Sequence, residues 1–366
     1  MKRILFLPFL QLSSGHYQVC RSLEAWMKIY QKPYQCERID IFSYAFGKIE
    51  SLISQSYLHA IQYLPSVYSW IYRKNVIEND PSERYVFYDL LFEKAMLRLI
   101  DEKKPDWLIC THALPSYILN RLKQKQKVHA RVVNVYTDYV IHNLWGKEGI
   151  DYHLVPDLFF KEQLVKNGVE HDKIFATGIP IHPSIKRTDD DLKPSETKLN
   201  ILITGGNLGI GKMDSMIKNL RPSSALRYYV LCGKNKRLYD TLKEKMPYVT
   251  PLPYIESPDE INQLYNRMHG IVTKPGGVTV TESLSKRLPI FIYHTLPGQE
   301  EMNLQYLLSN ELAYDLRGVV RTGKASEVIQ AHLLSKNKMQ QYRKKVEIFH
   351  QRVSTKHLAA FIDQIG

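Results

Sequence analysis

The chain has 366 residues, which is long for one hydrophobic core and sufficient for two domains. Hydrophobic residues make up 44% and charged residues 24%, so the composition excludes a disordered chain, and no apolar run approaches the roughly 18 residues that span a bilayer. The net charge of +13 predicts an anionic partner, and nucleic acid, anionic lipid headgroups and phosphorylated substrates all remain compatible with it.

The first predicted element is a buried strand in the run "RILFLPFL". Lys2 and Arg3 before the apolar residues imitate a signal peptide. The run is short, however, contains Pro8 and is not followed by a small-residue cleavage pattern. We therefore interpret it as the first strand of a parallel sheet.

Apolar strand-like runs then alternate with helical patterns along most of the chain. In the first half they are "DWLICTHALP", "ARVVNVYTDY", "DYHLVPD" and "KIFATGIPIHP", and in the second half "LNILITGGN", "RYYVLCGKN", "GIVTKPGG" and "LPIFIYH". Strands that are apolar on both faces and separated by helices indicate βαβ units. The predicted fold class is α/β, with two doubly wound domains.

Charge and proline content place the domain boundary. The segment 184–198 is rich in charged residues and carries Pro194, as expected for a linker. The sequence therefore predicts an N-terminal domain at 1–183 and a C-terminal domain at 199–335. Residues 336–366 are predicted to form a basic helical tail.

One segment, 42–75, replaces the short βα unit expected at its position. Its apolar residues recur at helical spacing, and the spacing is followed by a cluster of aromatic and basic residues: Tyr68, Trp70, Tyr72, Arg73 and Lys74. Such a cluster on an amphipathic helix suits a membrane interface. Ordinary core helices with a tyrosine-rich packing face are the alternative.

The first strand-to-helix turn, "SSGH", carries the first candidate for chemistry. Small residues such as Gly15 let a ligand approach the N-terminus of a helix. His16 stands where this helix begins, at the carboxyl edge of a parallel sheet, where ligands bind. An imidazole there can accept a proton near neutral pH. The alternative is a helix-capping histidine without chemistry.

A second group of polar residues follows the strand in "ARVVNVYTDY". Asp138 is predicted to orient a base or to bind an acceptor hydroxyl, and Trp145 to stack on a sugar or glycerol face. A plain helix cap is the alternative for Asp138.

Glycines open the first turn of the second domain in "ITGGNLGIGKM". Gly205, Gly206 and Gly209 resemble a phosphate cradle after a strand. A P-loop is nearly matched from Gly206 to Lys212, but Met213 replaces the required Ser or Thr, so an NTPase is not predicted.

The stretch "TKPGGVTVTESLSKR" indicates a second phosphate-binding turn. Gly276 and Gly277 are expected to allow positive φ and to end the strand, so that the β-branched run after them begins a helix near Val278 or Thr279. Glu282 then lies one turn inside the helix and can accept bonds from two ribose hydroxyls. The amides of this turn, helped by Lys274 or Lys212, are predicted to stabilise a diphosphate.

Polar residues in "PGQEEMN" follow the next strand. Gln299, Glu300 and Asn303 suit the hydroxyls of a hexose, although a polar loop that begins a helix is an equal alternative.

These motifs, in this order, resemble the processive diacylglycerol glucosyltransferases of Gram-positive bacteria and the plant monogalactosyldiacylglycerol synthases of glycosyltransferase family 28. The resemblance runs from Arg3 to about Asn303, and "TKPGG" with the following "TE" and "PGQE" is its most specific part. It implies a GT-B fold, in which two Rossmann-like domains face a cleft. It also implies an inverting transfer from a UDP-sugar that requires no metal ion or other cofactor.

The resemblance also implies roles for single residues. His16 matches the catalytic base and, with Gly15, the family's Gly-His pair. Glu282 matches the ribose-binding acid. The other positions that match UDP-sugar contacts are the diphosphate turn of Gly276, Gly277 and Thr279, the sugar-contacting pair of Gln299 and Glu300, the loop of Gly205, Gly206 and Gly209, and the nucleotide-side residues Gly233 and Lys234. The segment 42–75 matches the family's membrane and lipid-acceptor region.

The sequence therefore predicts a hexosyltransferase that moves a sugar from UDP-glucose or UDP-galactose to a membrane lipid hydroxyl, with diacylglycerol as the acceptor. The predicted partners are the UDP-sugar, the lipid and an anionic membrane surface on the cytoplasmic face of the cell membrane. Nucleic acid is not expected, because no recognised motif accompanies the basic runs. Alternatives are a polyprenyl-linked or soluble acceptor, or a catalytically weak regulator that senses UDP-sugar.

Overall fold

The computed structural model describes residues 1–9, 15–31, 34–47, 86–186, 198–205, 213–296 and 298–365. The chain divides into two compact units: the first contains residues 1–182 together with 351–366, and the second contains residues 183–350. Three predicted features lie wholly or mostly outside the described residues: the loop with Gly206, Gly209 and Lys212, the segment 42–75 with its aromatic and basic cluster at 68–74, and the linker.

The first unit is built on a parallel sheet with helices in its crossover connections. Its elements are β1 (Lys2–Leu7), α1 (Gly15–Ile29), β2 (Tyr34–Arg38), α2 (Ile41–Phe46), α3 (Val86–Lys103), β3 (Trp107–Cys110), α4 (Ala113–Gln124), β4 (Arg131–Val135), β5 (Tyr152–Val155), α5 (Leu158–Lys166), a 3-10 turn (His171–Lys173) and β6 (Ile174–Ala176).

The strand order of this sheet is β2-β1-β3-β4-β5-β6, and each pair is parallel. All four residues of β3 are buried, as are Ile4 to Leu7 of β1, which explains why these strands are apolar on both faces. The chain reverses its direction of winding between β1 and β3. In such sheets a crevice opens at the carboxyl ends of the two strands at this switch point.

The second unit repeats the same architecture. Its elements are β7 (Leu199–Thr204), α6 (Met213–Lys218), β8 (Leu226–Leu231), α7 (Lys236–Lys245), β9 (Val249–Leu252), α8 (Pro258–Asn266), β10 (Gly270–Thr273), α9 (Gly277–Ser285), β11 (Ile290–Ile292), α10 (Gln299–Ser309), β12 (Tyr314–Asp315), α11 (Arg317–Val320), α12 (Ala325–Leu333) and α13 (Lys336–Gln351).

Its six-stranded sheet has the order β12-β11-β10-β7-β8-β9. The switch point lies between β7 and β10, which pair in parallel from Gly270 to Val272. Buried side chains from β7, β8, β10 and the surrounding helices form one core, which includes Ile201, Val230 and Val272. The carboxyl ends of β7 and β10 carry the two glycine turns that the sequence singles out.

The predicted α/β class and the two doubly wound domains are confirmed. Every strand-like run in the sequence contains an observed strand. The structure adds β2, β9 and β12, each at an edge of its sheet, where partial exposure and polar residues hide the apolar pattern. Among the described residues, no helix is both long and apolar enough to cross a membrane.

The C-terminal residues belong to both units. Helix α13 packs in the second unit, where the Tyr342 hydroxyl donates to the carbonyl of Leu288 at 2.8 Å. The last helix, α14 (Thr355–Ile365), lies in the first unit, where Phe361 is buried against the rings of Trp107, Tyr152 and Phe175. The residues predicted as a basic tail therefore form one helix in each unit.

Candidate functional site

The sheet of the first unit brings three loops together at the carboxyl ends of β1, β3 and β4. His16 is the second residue of α1, after β1, while Thr111 follows β3 and Thr137 follows β4. Nδ1 of His16 lies 2.6 Å from the carbonyl oxygen of Thr111 and 3.1 Å from the hydroxyl of Thr137. The predicted base therefore stands at the switch point of its sheet.

These contacts determine the tautomer of His16. A carbonyl oxygen only accepts hydrogen bonds, so Nδ1 carries the proton and donates it to Thr111. In the neutral imidazole the lone pair is then on Nε2. This is the protonation pattern that a general base requires.

The surroundings of His16 also favour its neutral form. Burial lowers the pKa of His16 below its ordinary value, while the charge of Asp138 and the bond to Thr111 oppose this effect only in part. The Thr137 hydroxyl lies 3.4 Å from Oδ2 of Asp138 and so links the carboxylate to the imidazole. The contacts that orient Nδ1 come from Thr111 and Thr137, and Asp138 acts on the ring through its charge.

A second histidine packs against His16. The ring of His112 meets that of His16 edge to face at 5.0 Å and stacks on Phe9 at 4.6 Å. Its Nδ1 accepts from the backbone of Leu114 at 3.1 Å and caps α4. Burial, together with His16 and His142, lowers the pKa of His112 well below its ordinary value. His112 is therefore an apolar wall and a helix cap beside the base.

The sequence reading did not single out Thr111 and His112. Both follow a fully buried strand, β3, in the run "CTHA". The signal that could have found them is positional, because polar residues that end a strand adjacent to β1 must lie at the switch point. That inference needs the strand order, which the sequence pattern does not provide.

Trp145 corrects one prediction. Its side chain is only 5% exposed, and its ring lies 4.6 Å from that of Tyr136, which is fully buried. The indole therefore packs in the interior of the first unit and offers no stacking face to a sugar or to glycerol. Burial of this large apolar ring stabilises the first unit.

The second unit places the glycine turn at the end of β10. Gly276 is the N-cap of α9 and has no side chain to cap the helix, so the first N–H groups of α9 are available to an anion. The amide of Asn303 donates to the carbonyl of Pro275 at 2.9 Å and fixes this turn from α10. The helix begins at Gly277, and Thr279 lies in its first turn.

The prediction that Gly276 and Gly277 have positive φ at this turn is wrong. The backbone of Gly276 has φ −75° and ψ 133°, a conformation open to any residue, and Gly277 is helical. A Cβ built on Gly276 would meet nothing within 4 Å. Neither backbone conformation nor a neighbouring group therefore requires glycine at this position within the protein itself.

Two hydroxyl side chains of α9 bond to the backbone of the same helix. Thr281 and Ser283 donate to the carbonyls of Gly277 and Thr279, four residues earlier, at 2.7 Å each. The prediction that "VTVT" is helical despite its strand propensity is confirmed.

Glu282 lies on the second turn of α9. Its Oε2 accepts a hydrogen bond from the Tyr265 hydroxyl at 2.9 Å. Burial raises the pKa of Glu282 to about 7, and the bond from Tyr265 opposes this rise. The residue as a whole is partly exposed, while its carboxyl group is the part whose pKa burial raises.

Two of the predicted donor-site residues form an ion pair. Nζ of Lys274 lies 3.1 Å from Oε1 of Glu300, and Oε2 of Glu300 accepts from the backbone of Leu296 at 2.6 Å. Gln299 and Glu300 are the first two residues of α10. This position agrees with the alternative interpretation, a polar loop that begins a helix. The charge of Lys274 is therefore balanced by Glu300, and its contact with a diphosphate stays a prediction.

The remaining predicted residues lie at the ends of β7 and β8. Gly205 is buried directly after β7. Gly233 has φ 59° in the turn after β8, a conformation that favours glycine, and Nζ of Lys234 lies 5.6 Å from the centre of the Tyr254 ring. Within the described ranges, no group of three or more His, Cys, Asp or Glu side chains is placed to hold a metal ion.

The comparisons with known proteins agree with this architecture. A family model described as monogalactosyldiacylglycerol (MGDG) synthase matches residues 16–181. YkoN, an uncharacterized glycosyltransferase of Bacillus subtilis strain 168, is 42% identical over 100% of this chain and 97% of its own length. The processive diacylglycerol beta-glucosyltransferase of the same strain is 26% identical over 83% of this chain and 81% of its own length.

Solved structures show the same fold at low identity. Acinetobacter baumannii MurG superposes with a TM-score of 0.61 at 14% identity, over 100% of this chain and 99% of that one. Staphylococcus aureus MnaA with UDP superposes with a TM-score of 0.60 at 13% identity, over 100% of this chain and 96% of that one. The class that the fold and the site define is an enzyme of the GT-B type. The chain belongs to glycosyltransferase family 28, with the MGDG synthases and processive diacylglycerol glucosyltransferases, and is a glycosyltransferase.

Proposed function

We propose that this enzyme transfers a hexose from a UDP-sugar to the hydroxyl of a membrane lipid, with diacylglycerol as the acceptor. The observation that carries the proposal is the bond from Nδ1 of His16 to the carbonyl of Thr111, which leaves the lone pair on Nε2 at the sheet switch point. A neutral, oriented imidazole is the group that deprotonates an alcohol near neutral pH.

In the proposed reaction the lipid hydroxyl gives its proton to Nε2 of His16 as its oxygen attacks the anomeric carbon. The bond between that carbon and the diphosphate oxygen breaks, and UDP leaves with the electron pair. The imidazolium that forms is stabilised by the Thr111 carbonyl and by the negative charge of Asp138. One displacement inverts the configuration at the anomeric carbon.

The second unit would bind the nucleotide. The uncapped N-terminus of α9 faces open space and suits the diphosphate, whose negative charge increases as the bond breaks. Glu282, one turn further along, suits the ribose hydroxyls. In this proposal the helix N–H groups and side chains replace a metal ion as the stabiliser of the leaving group.

The acceptor is proposed from the relatives. The family model is described by a diacylglycerol product, and the 26% identical relative is a processive diacylglycerol beta-glucosyltransferase. The net charge of +13 suits an enzyme whose acceptor lies in an anionic membrane, because basic side chains near such a surface contribute about 1 kcal/mol each.

The test is incubation with radiolabelled UDP-glucose or UDP-galactose and diacylglycerol vesicles in EDTA, followed by lipid extraction and chromatography. We expect the label in a lipid product with one of the two donors. Label transferred only to a polyprenyl phosphate or to a water-soluble acceptor would refute the lipid assignment. Free labelled hexose without any transfer would indicate the alternative function, a catalytically weak regulator that senses UDP-sugar.

Membrane attachment can be tested on the aromatic cluster at 68–74. We expect the combined replacement of Tyr68, Trp70 and Tyr72 by serine to weaken binding to anionic vesicles by about tenfold or more, because these rings would no longer enter the interface. The measurement is sedimentation with vesicles of phosphatidylglycerol and phosphatidylcholine.

Phe159 provides the control for that experiment. It lies on α5 and is 55% exposed, so its replacement by serine removes an accessible aromatic ring that is not part of the cluster. We expect Phe159→Ser to bind vesicles like the wild type. Wild-type vesicle binding by the triple variant would show that the cluster is not the membrane interface.

A further inference from the structure

We propose that Tyr265 is a positioning residue that holds the Glu282 carboxylate ready for the ribose and thereby sets the pH range in which the enzyme binds UDP. This inference rests on the proposed function, because it assumes that Glu282 accepts the ribose hydroxyls. No sequence motif drew attention to Tyr265. It lies 17 residues before Glu282, on α8, a different helix.

The geometry makes Tyr265 a fixed donor. The side chain is 5% exposed, and its hydroxyl donates to Oε2 of Glu282 at 2.9 Å. Burial and the neighbouring carboxylate raise the pKa of Tyr265 well above its ordinary value, so the hydroxyl keeps its proton at every pH of interest. One carboxylate oxygen thus accepts from the protein, and in this proposal the other accepts from the ribose.

Other charged groups around this pair are engaged elsewhere. Lys286, one turn beyond Glu282, donates to Oδ1 of Asn266 at 2.6 Å and to the carbonyl of Lys186. The guanidinium of Arg287 pairs with Glu347 of α13. The acidic residues of α8, Asp259 and Glu260, lie in its first turn, at the opposite end from Tyr265. Among the described residues, Tyr265 is the ionisable group that contacts the Glu282 carboxylate.

This arrangement makes nucleotide binding depend on pH. Ribose hydroxyls donate to a carboxylate, so UDP prefers the ionised form of Glu282. The pKa of that group is about 7 in the free protein. We therefore expect the affinity for UDP to rise as the pH increases through 7 and to level off above it.

The Tyr265→Phe variant tests the role of the hydroxyl. The bond from Tyr265 lowers the pKa of Glu282, so its loss is expected to move the inflection upward by about one to two pH units. At pH 7 the variant should then bind UDP about 5- to 50-fold more weakly, and the deficit should shrink as the pH rises. The measurement is titration calorimetry with UDP from pH 5.5 to 9.5. The ionisation of UDP itself cancels in the ratio to wild type.

Two further variants provide controls. Tyr342→Phe removes another buried hydroxyl of the second unit, one that donates to the carbonyl of Leu288 at 2.8 Å, and should leave the pH profile of UDP binding unchanged. Glu282→Gln should remove the inflection at pH 7: it should bind UDP about as the protonated wild type does at low pH, and its deficit relative to wild type should grow as the pH rises. A wild-type pH profile in Tyr265→Phe would overturn the inference.

A second readout does not require UDP. A buried carboxyl whose pKa is raised from 4.5 to about 7 binds a proton more tightly in the folded state, so stability falls as the pH rises between these values. Denaturant unfolding of the wild type should show this fall in stability. In Tyr265→Phe the fall should continue to higher pH, and in Glu282→Gln it should be absent. If these stability profiles appear but no protein binds UDP, the proposed function fails. If UDP binds and the profiles of wild type and Tyr265→Phe coincide, the inference alone fails.

Discussion

The His16→Ala variant is expected to lose about 10²- to 10⁴-fold in kcat, with little change in its affinity for UDP. The side chain supplies the proton acceptor, and its removal takes away the Nε2 lone pair that receives the proton. Its contacts are within the first unit, with Thr111 and Thr137, so nucleotide binding by the second unit should be preserved. The measurement is initial-rate kinetics of lipid glycosylation, with calorimetry for UDP.

The pH profile makes this test specific to a base. Because burial lowers the pKa of His16, the imidazole is neutral at pH 7, and the wild-type rate should fall only on the acid side. Asp138→Asn removes the charge that raises this pKa, so its acid limb should move to lower pH. His171→Ala, in the exposed 3-10 turn, is the control and should behave like wild type. A His16→Ala rate within tenfold of wild type would show that another group is the base.

The Gly276→Leu variant is expected to bind UDP about 100-fold more weakly while its folding free energy changes by less than about 1 kcal/mol. A side chain at this position enters open space in front of α9, and the backbone already has a conformation that leucine adopts. The protein therefore tolerates the change, whereas a diphosphate that approaches the helix N–H groups would collide with it. Calorimetry and denaturant unfolding measure the two effects separately.

Gly318→Leu is the matching control. Gly318 also lies near the start of a helix in the second unit, α11, and a Cβ there meets nothing within 4 Å. We expect this variant to fold and bind UDP like wild type. If Gly276→Leu kept wild-type affinity, the diphosphate would have to bind away from the end of α9.

Much of the fold could be predicted from the sequence because its central strands are apolar on both faces. The runs around Ile4, Ile109 and Ile203 lie in the middle of the two sheets and are buried there. The glycine turn also ended β10 and began α9 as predicted, because the β-branched residues after it lie between two strands and fill the crossover connection. Edge strands such as Tyr314–Asp315 were missed because one side of each lacks a partner strand.

The candidate site was harder to predict, since it depends on contacts between residues far apart in sequence. His16 and Thr111 are separated by 95 positions, and only the parallel pairing of β1 with β3 brings them together. Trp145 illustrates the opposite error, because an aromatic residue after a strand has the same pattern whether it faces a ligand or the core. Tyr265 escaped notice because nothing in the sequence relates α8 to Glu282.

The measurement that tests the central claim most directly is the anomeric configuration of the lipid product, determined by proton NMR after reaction with α-linked UDP-hexose. A single attack by the lipid oxygen, with the proton taken by His16, predicts a β-linked glycolipid from the wild type and almost none from His16→Ala. An α-linked product, or equal amounts of product from the two proteins, would contradict the account.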